Sequence, residues 1–120
     1  MLLNKDQILK ALDLPFRDVD VPEWGGKVRV STMTAAARDS FEQSIYETID
    51  GKPVLKHENF RAKLLSRALV DENGERLFGE DDFDVEVLGA KSATIIQQLF
   101  DIAQELNGTS KAAQDAIEKK

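Results

Sequence analysis

The chain has 120 residues, a net charge of −6 and an isoelectric point near 4.8, with no cysteine and one histidine. That length makes one domain with one core, and 42% hydrophobic against 32% charged residues fits a globular protein. Disulfides, a thiolate nucleophile and a cysteine-based zinc site are excluded, a histidine-based metal site is disfavoured, and the acidic balance opposes binding to nucleic acid or an anionic membrane.

The N-terminal residues lack the long apolar core of a signal peptide, and no apolar run approaches a membrane span. The expected compartment is therefore the cytosol, with no cofactor, no nucleic acid and no membrane partner.

In chain order, Asn4–Leu14 reads as a short helix with Asn4 as its cap. Ile8, Leu9 and Leu12 form its apolar stripe, and Pro15 is its stop. Phe16–Thr32 switches to a period of two around Gly25-Gly26, which predicts a β-hairpin with Asp18 and Asp20 on one arm facing Lys27 and Arg29 on the other, in a register the sequence leaves open. Thr34 caps a helix whose apolar residues Ala37, Phe41, Ile45 and Ile49 recur every four positions to about Thr48. Asp50-Gly51-Lys52-Pro53 then ends it, with Gly51 as a left-handed cap. Val54-Leu55 is a short extended piece or loop.

Glu58–Leu69 is a third helix with Phe60, Leu64, Leu65 and Ala68 inward and Arg61, Lys63 and Arg67 outward. Asn73-Gly74 between two apolar runs predicts a second hairpin with a two-residue turn. It would pair Asp71 with Arg76, Val70 with Leu77 and Leu69 with Phe78, and would set Glu72 against Glu75 at the tip. A helix starts near Glu80, where acidic residues suit the helix dipole, and uses Phe83, Val87 and Leu88 as its apolar side before Gly89. Ser92–Leu106 is apolar over more than one face, which means a central core helix or a surface shared with another chain. Thr109–Lys120 is an alanine-rich, weakly anchored helix or tail. The fold class that follows is α+β: a mainly helical single domain over residues 1–108, with one or two small β-hairpins.

No arrangement for catalysis or metal binding emerges. Asp71–Glu75 has a glycine in the fourth place, where a calcium loop needs it sixth. His57 stands beside Lys56 and Glu58 without a motif partner. Arg61, Lys63 and Arg67 form either a solvated face or a dock for an acidic partner. Trp24, the sole tryptophan, sits at the tip of the first hairpin beside Val28 and Val30, and is either a core lid or an interface anchor. The candidate protein-interface residues are thus Trp24, Val28, Val30, Arg61 and Arg67.

Two stretches carry a family likeness. One is Val21-Pro22-Glu23-Trp24-Gly25-Gly26-Lys27-Val28-Arg29-Val30, followed by Met33-Thr34 and a helix. The other is Leu69-Val70-Asp71-Glu72-Asn73-Gly74-Glu75-Arg76-Leu77-Phe78, followed by an acidic helix start and a long apolar helix ending in Leu106-Asn107-Gly108. Together they resemble the tail assembly chaperones of lambda-like long-tailed bacteriophages, from about Val21 to Gly108. The family often has a glutamate where this chain has Ala37, so Thr34 caps without a capping-box partner.

The resemblance implies a non-enzymatic protein of the infected cell's cytoplasm that is absent from the finished virion. It would bind the tape measure protein, help recruit tail tube subunits, and self-associate into a ring or spiral. It also implies a short form of a frameshifted pair, for which Lys119-Lys120 offers an adenine-rich codon run. The readings from other classes are a structural head–tail joining protein and a small DNA-binding regulator. The acidic balance disfavours the regulator.

Overall fold

A computed structural model describes residues 1–79 and 81–108. It shows an α+β fold of five helices, a three-stranded antiparallel sheet and a separate two-stranded hairpin. The expected helix or tail over 109–120, and the helix start at Glu80, lie outside the described residues.

The N-terminal helix α1 (Lys5–Lys10) is fixed by a reciprocal capping box: Asn4 Oδ1 accepts from the Gln7 amide and Gln7 Oε1 accepts from the Asn4 amide, each at 2.9 Å. It stops well before Pro15 and buries none of its residues, so Ile8, Leu9 and Leu12 stay exposed.

Strands β1 (Phe16–Val21) and β2 (Gly26–Ser31) form the expected hairpin, joined by a short 3-10 turn at Pro22–Trp24 and by Gly25 at φ +83°. The register is Asp18 with Arg29, Val19 with Val28 and Asp20 with Lys27, so opposite charges pair on the wet face while Val19, Val21 and Val30 are buried. Helix α2 (Ala35–Ile45) is capped by Thr34 Oγ1, which accepts from the Ala37 amide at 3.1 Å.

The expected continuation of α2 to Thr48 does not occur. Tyr46–Ile49 is strand β3, paired with β4 (Lys52–Leu55) across Asp50-Gly51. Both turn residues have positive φ, +53° and +77°, the requirement of a two-residue type I′ turn. Asp50-Gly51 is thus a hairpin turn and not a helix cap.

Helix α3 (Phe60–Ala68) is the centre of the core, contacting α2, α4 and α5, and is buried from Leu64 through Ala68. Strand β5 (Leu69–Val70) joins β2 as the third strand of the sheet. The loop after β5 departs from the expected two-residue turn. The Asp71 amide donates to Glu75 O at 2.8 Å and the Gly74 amide to Asp71 O at 3.0 Å, with Val70 opposite Arg76. Only Gly74 has positive φ, so a three-residue loop replaces the type I′ turn and the register slips by one. The Asp71 carboxylate drives this by accepting from the amides of Asn73 and Glu75.

Helix α4 (Asp82–Gly89) is capped by Asp81, whose Oδ1 accepts from the Asp84 amide at 2.8 Å. It buries Val85 and Leu88, not the expected trio of Phe83, Val87 and Leu88. Helix α5 (Ala93–Asn107) packs on α3, β1 and β2 and buries Ile95, Ile96, Leu99, Phe100 and Ala103. Its broad apolar surface is therefore that of a core helix. Phe41, Phe60 and Phe100 form an edge-to-face chain through the core, with centroids 5.6 and 5.8 Å apart.

Candidate functional site

The short turn between β1 and β2 lifts Trp24 off the end of the sheet and lays it over the end of α4. There Trp24 is half-buried against the core. Glu23, Trp24, Phe78, Val87, Leu88 and Lys91 enclose an open cleft of about 430 Å³, with the Lys91 ammonium 5.6 Å from the Trp24 ring centroid.

The cleft continues onto an apolar surface. Phe83 lies one turn before Val87 on the same face of α4; Phe83 is 73% exposed and Val87 44%. Leu77, next to Phe78, is also exposed and borders a second depression with Val28 and Val70. Acidic side chains rim this surface: Glu23 at the cleft, with Asp82 and Glu86 on the exposed side of α4.

Phe78, Phe83 and Val87 were not among the residues the sequence pointed to. The signal was present in α4, where Val85 and Leu88 make one stripe and Phe83 and Val87 another. One eight-residue helix packed on one core can bury only one of them.

The five candidate interface residues are not brought together. Trp24 and Val28 are half-buried and line neighbouring depressions. Val30 is 0% exposed, inside the sheet. Arg67 is 4% exposed and points inward, donating to Ser40 Oγ at 2.9 Å and to Lys63 O at 2.8 Å. Lys63 reaches Ser44 O at 3.1 Å, near the negative end of α2. The basic face read on α3 is therefore largely internal, and Arg61 is its exposed member. Arg61 donates to Gln97 Oε1 and lies over the Phe100 ring, at the mouth of a cleft of about 480 Å³ that also takes in His57, Asn59, Gly89 and Lys91.

A family model of phage tail assembly chaperones matches residues 5–120, nearly the whole chain. The chain belongs to the phage tail assembly chaperone family. Searches of curated proteins and of solved structures found no match.

Membership gives this chaperone a role in phage tail assembly. Its surface chemistry suits contact with protein: an indole, two phenyl rings and aliphatic side chains for apolar contact, with carboxylates and Lys91 for orientation. Among the described residues no helix is long and apolar enough to cross a membrane.

Proposed function

We propose that the protein is a non-enzymatic holdase of the host cytoplasm that binds the tape measure protein during tail morphogenesis, helps recruit tail tube subunits, and is absent from the mature virion. A holdase needs apolar surface that its own core does not consume, and enough like charge to keep its complexes apart. The observation that carries the reading is the surface of Trp24, Phe78, Phe83 and Val87, where an open cleft meets exposed apolar side chains of α4. The net charge of −6 supplies the repulsion.

In this reading Trp24, Val28 and Arg61 act at the surface, while Val30 and Arg67 hold the frame that presents them. Self-association into a ring or spiral, and a longer frameshifted product appended near Lys119-Lys120, belong to the same reading. The nucleotides around those codons test the longer product: a slippery heptamer with an overlapping open frame supports it, and the lack of either removes it.

The experiment for the site is a binding titration of the tape measure protein against Trp24→Ala. An interface anchor predicts binding weaker by about 1–3 kcal/mol with thermal stability retained. A variant that loses stability while binding at full strength makes Trp24 a core lid and removes it from the site.

A further inference from the structure

The hairpin of β3 and β4 stands apart from the three-stranded sheet, and all eight of its strand residues are exposed. A two-stranded hairpin with both faces in water is marginally stable alone, and its outer edges offer unpaired backbone groups. These two edges are not equivalent. The Lys56 amide donates to Ile45 O, which sets the phase of the ladder: Ile45 with Lys56, Glu47 with Val54 and Ile49 with Lys52 exchange bonds inside the hairpin. The backbone groups of Tyr46 and Thr48 on β3, and of Pro53 and Leu55 on β4, therefore point outward. Pro53 has no N–H, so the β4 edge is blocked for strand addition. On β3 both outward residues keep donor and acceptor.

We propose that the outer edge of β3 is a self-docking surface that pairs antiparallel with the same edge of a second copy of this chain, about a two-fold axis at Thr48. The residues of β3 select that occupant and that register. Centred on Thr48, the pairing sets Thr48 against Thr48, Glu47 against Ile49 and Tyr46 against Asp50, with no like charges opposed. Threonine pairs are among the favourable cross-strand neighbours. Centred on Glu47, it opposes two carboxylates at the closest pair of the ladder. Centred on Tyr46, it collides with α2, which ends at Ile45. Two hairpins joined this way make a four-stranded sheet whose outer edges are both β4, each closed by Pro53. The assembly thus stops at two along this axis, as an isologous interface does. The inference rests on the self-association of the proposed function, for which it names one two-fold contact, and not on tape measure binding.

Sedimentation of the purified chain, without any tail protein, tests the pairing together with two variants. Thr48→Pro removes the outward N–H of β3 and leaves the hairpin's own ladder intact; it is expected to weaken dimerisation about tenfold or more at unchanged helical circular dichroism. Thr48→Cys introduces the only thiol of the chain. Facing Cα atoms in such a pair lie about 5.5 Å apart, within disulfide reach, so mild oxidation should give a covalent dimer. Glu75→Cys, in the loop after β5, should not. A wild-type chain that stays monomeric at high concentration overturns the proposal. So does a Thr48→Pro variant that dimerises normally, or an assembly in which Thr48→Cys fails to cross-link. If Thr48→Pro disturbs folding, the cysteine pair decides.

Discussion

Asn107, the last residue of α5, accepts the backbone N–H of Met33 on its Oδ1 at 2.7 Å, across 74 positions of sequence. Its Nδ2 donates to Ala103 O at 2.8 Å, and its own carbonyl accepts from Arg38 Nη1 at 3.1 Å. One buried amide thus clasps the end of α5 to the segment between β2 and α2. Asn107→Ala leaves the Met33 N–H without its acceptor. The expected loss is about 1–3 kcal/mol of unfolding free energy, read by urea denaturation, and an unchanged midpoint would remove the clasp.

The pair Asp18–Arg29 makes stability depend on pH. Arg29 Nε donates to Asp18 Oδ1 at 2.8 Å and Nη2 to Oδ2 at 3.1 Å, and the guanidinium also covers the Phe16 ring at 3.8 Å. The hydrogen bond from Arg29 lowers the Asp18 carboxyl below the ordinary carboxylate value, and the same bond raises Arg29. A carboxyl lowered by folding contributes its full stabilisation above its unfolded pKa and loses it as pH falls through the folded one. Arg29 stays charged throughout. Asp18→Asn is therefore expected to melt below the wild type at about pH 7, with a narrower gap at about pH 2.5. Thermal melts of both proteins at the two pH values check this; a gap that stays as wide in acid contradicts it.

The division of apolar residues between core and surface gives a paired test. Leu99 is fully buried on α5, so Leu99→Ala should cost about 2–5 kcal/mol. Phe83 is the larger side chain but stands in solvent, so Phe83→Ser should change stability by no more than about 0.5 kcal/mol. Chemical denaturation of the two variants separates these outcomes, and a large loss for Phe83→Ser would place it in the core.

What the sequence made legible were the features set by near neighbours. Asn4 and Thr34 cap as expected, the first hairpin forms where the period of two and Gly25-Gly26 place it while its register comes from the structure alone, and α5 spans the apolar run. The misreadings share one physical origin: local patterns compatible with two structures that only tertiary contacts separate. Ile45 and Ile49 keep a helical spacing, and Gly51 takes a positive φ in a helix cap or a turn alike. The positive φ of Asp50 decides for the hairpin. Asn73-Gly74 carries the type I′ signature, but the Asp71 carboxylate captures the Asn73 and Glu75 amides and enlarges the loop. In α4 the two apolar stripes are equally periodic, and α3 accepts the side bearing Val85 and Leu88. Helical spacing alone does not separate Arg67 from an exposed cation; Ser40 and the Lys63 carbonyl, which accept from its guanidinium, make it internal. Of the residues around the cleft, the sequence pointed to Trp24 and its neighbour Val28, because Phe78 read as a hairpin residue paired with Leu69 and Phe83 and Val87 as the apolar side of their helix.

The proposed holdase activity requires that the surface of Trp24, Phe83 and Val87 keep the tape measure protein soluble. Its most direct measurement is the soluble yield of that protein on co-expression with no partner, with the wild-type chain, and with a Phe83→Ser/Val87→Ser double variant shown to be folded. A clear rise in soluble tape measure protein is expected with the wild type, and little or none with the double variant. Equal solubility with and without the wild-type chain, or a double variant as effective as the wild type, would contradict it.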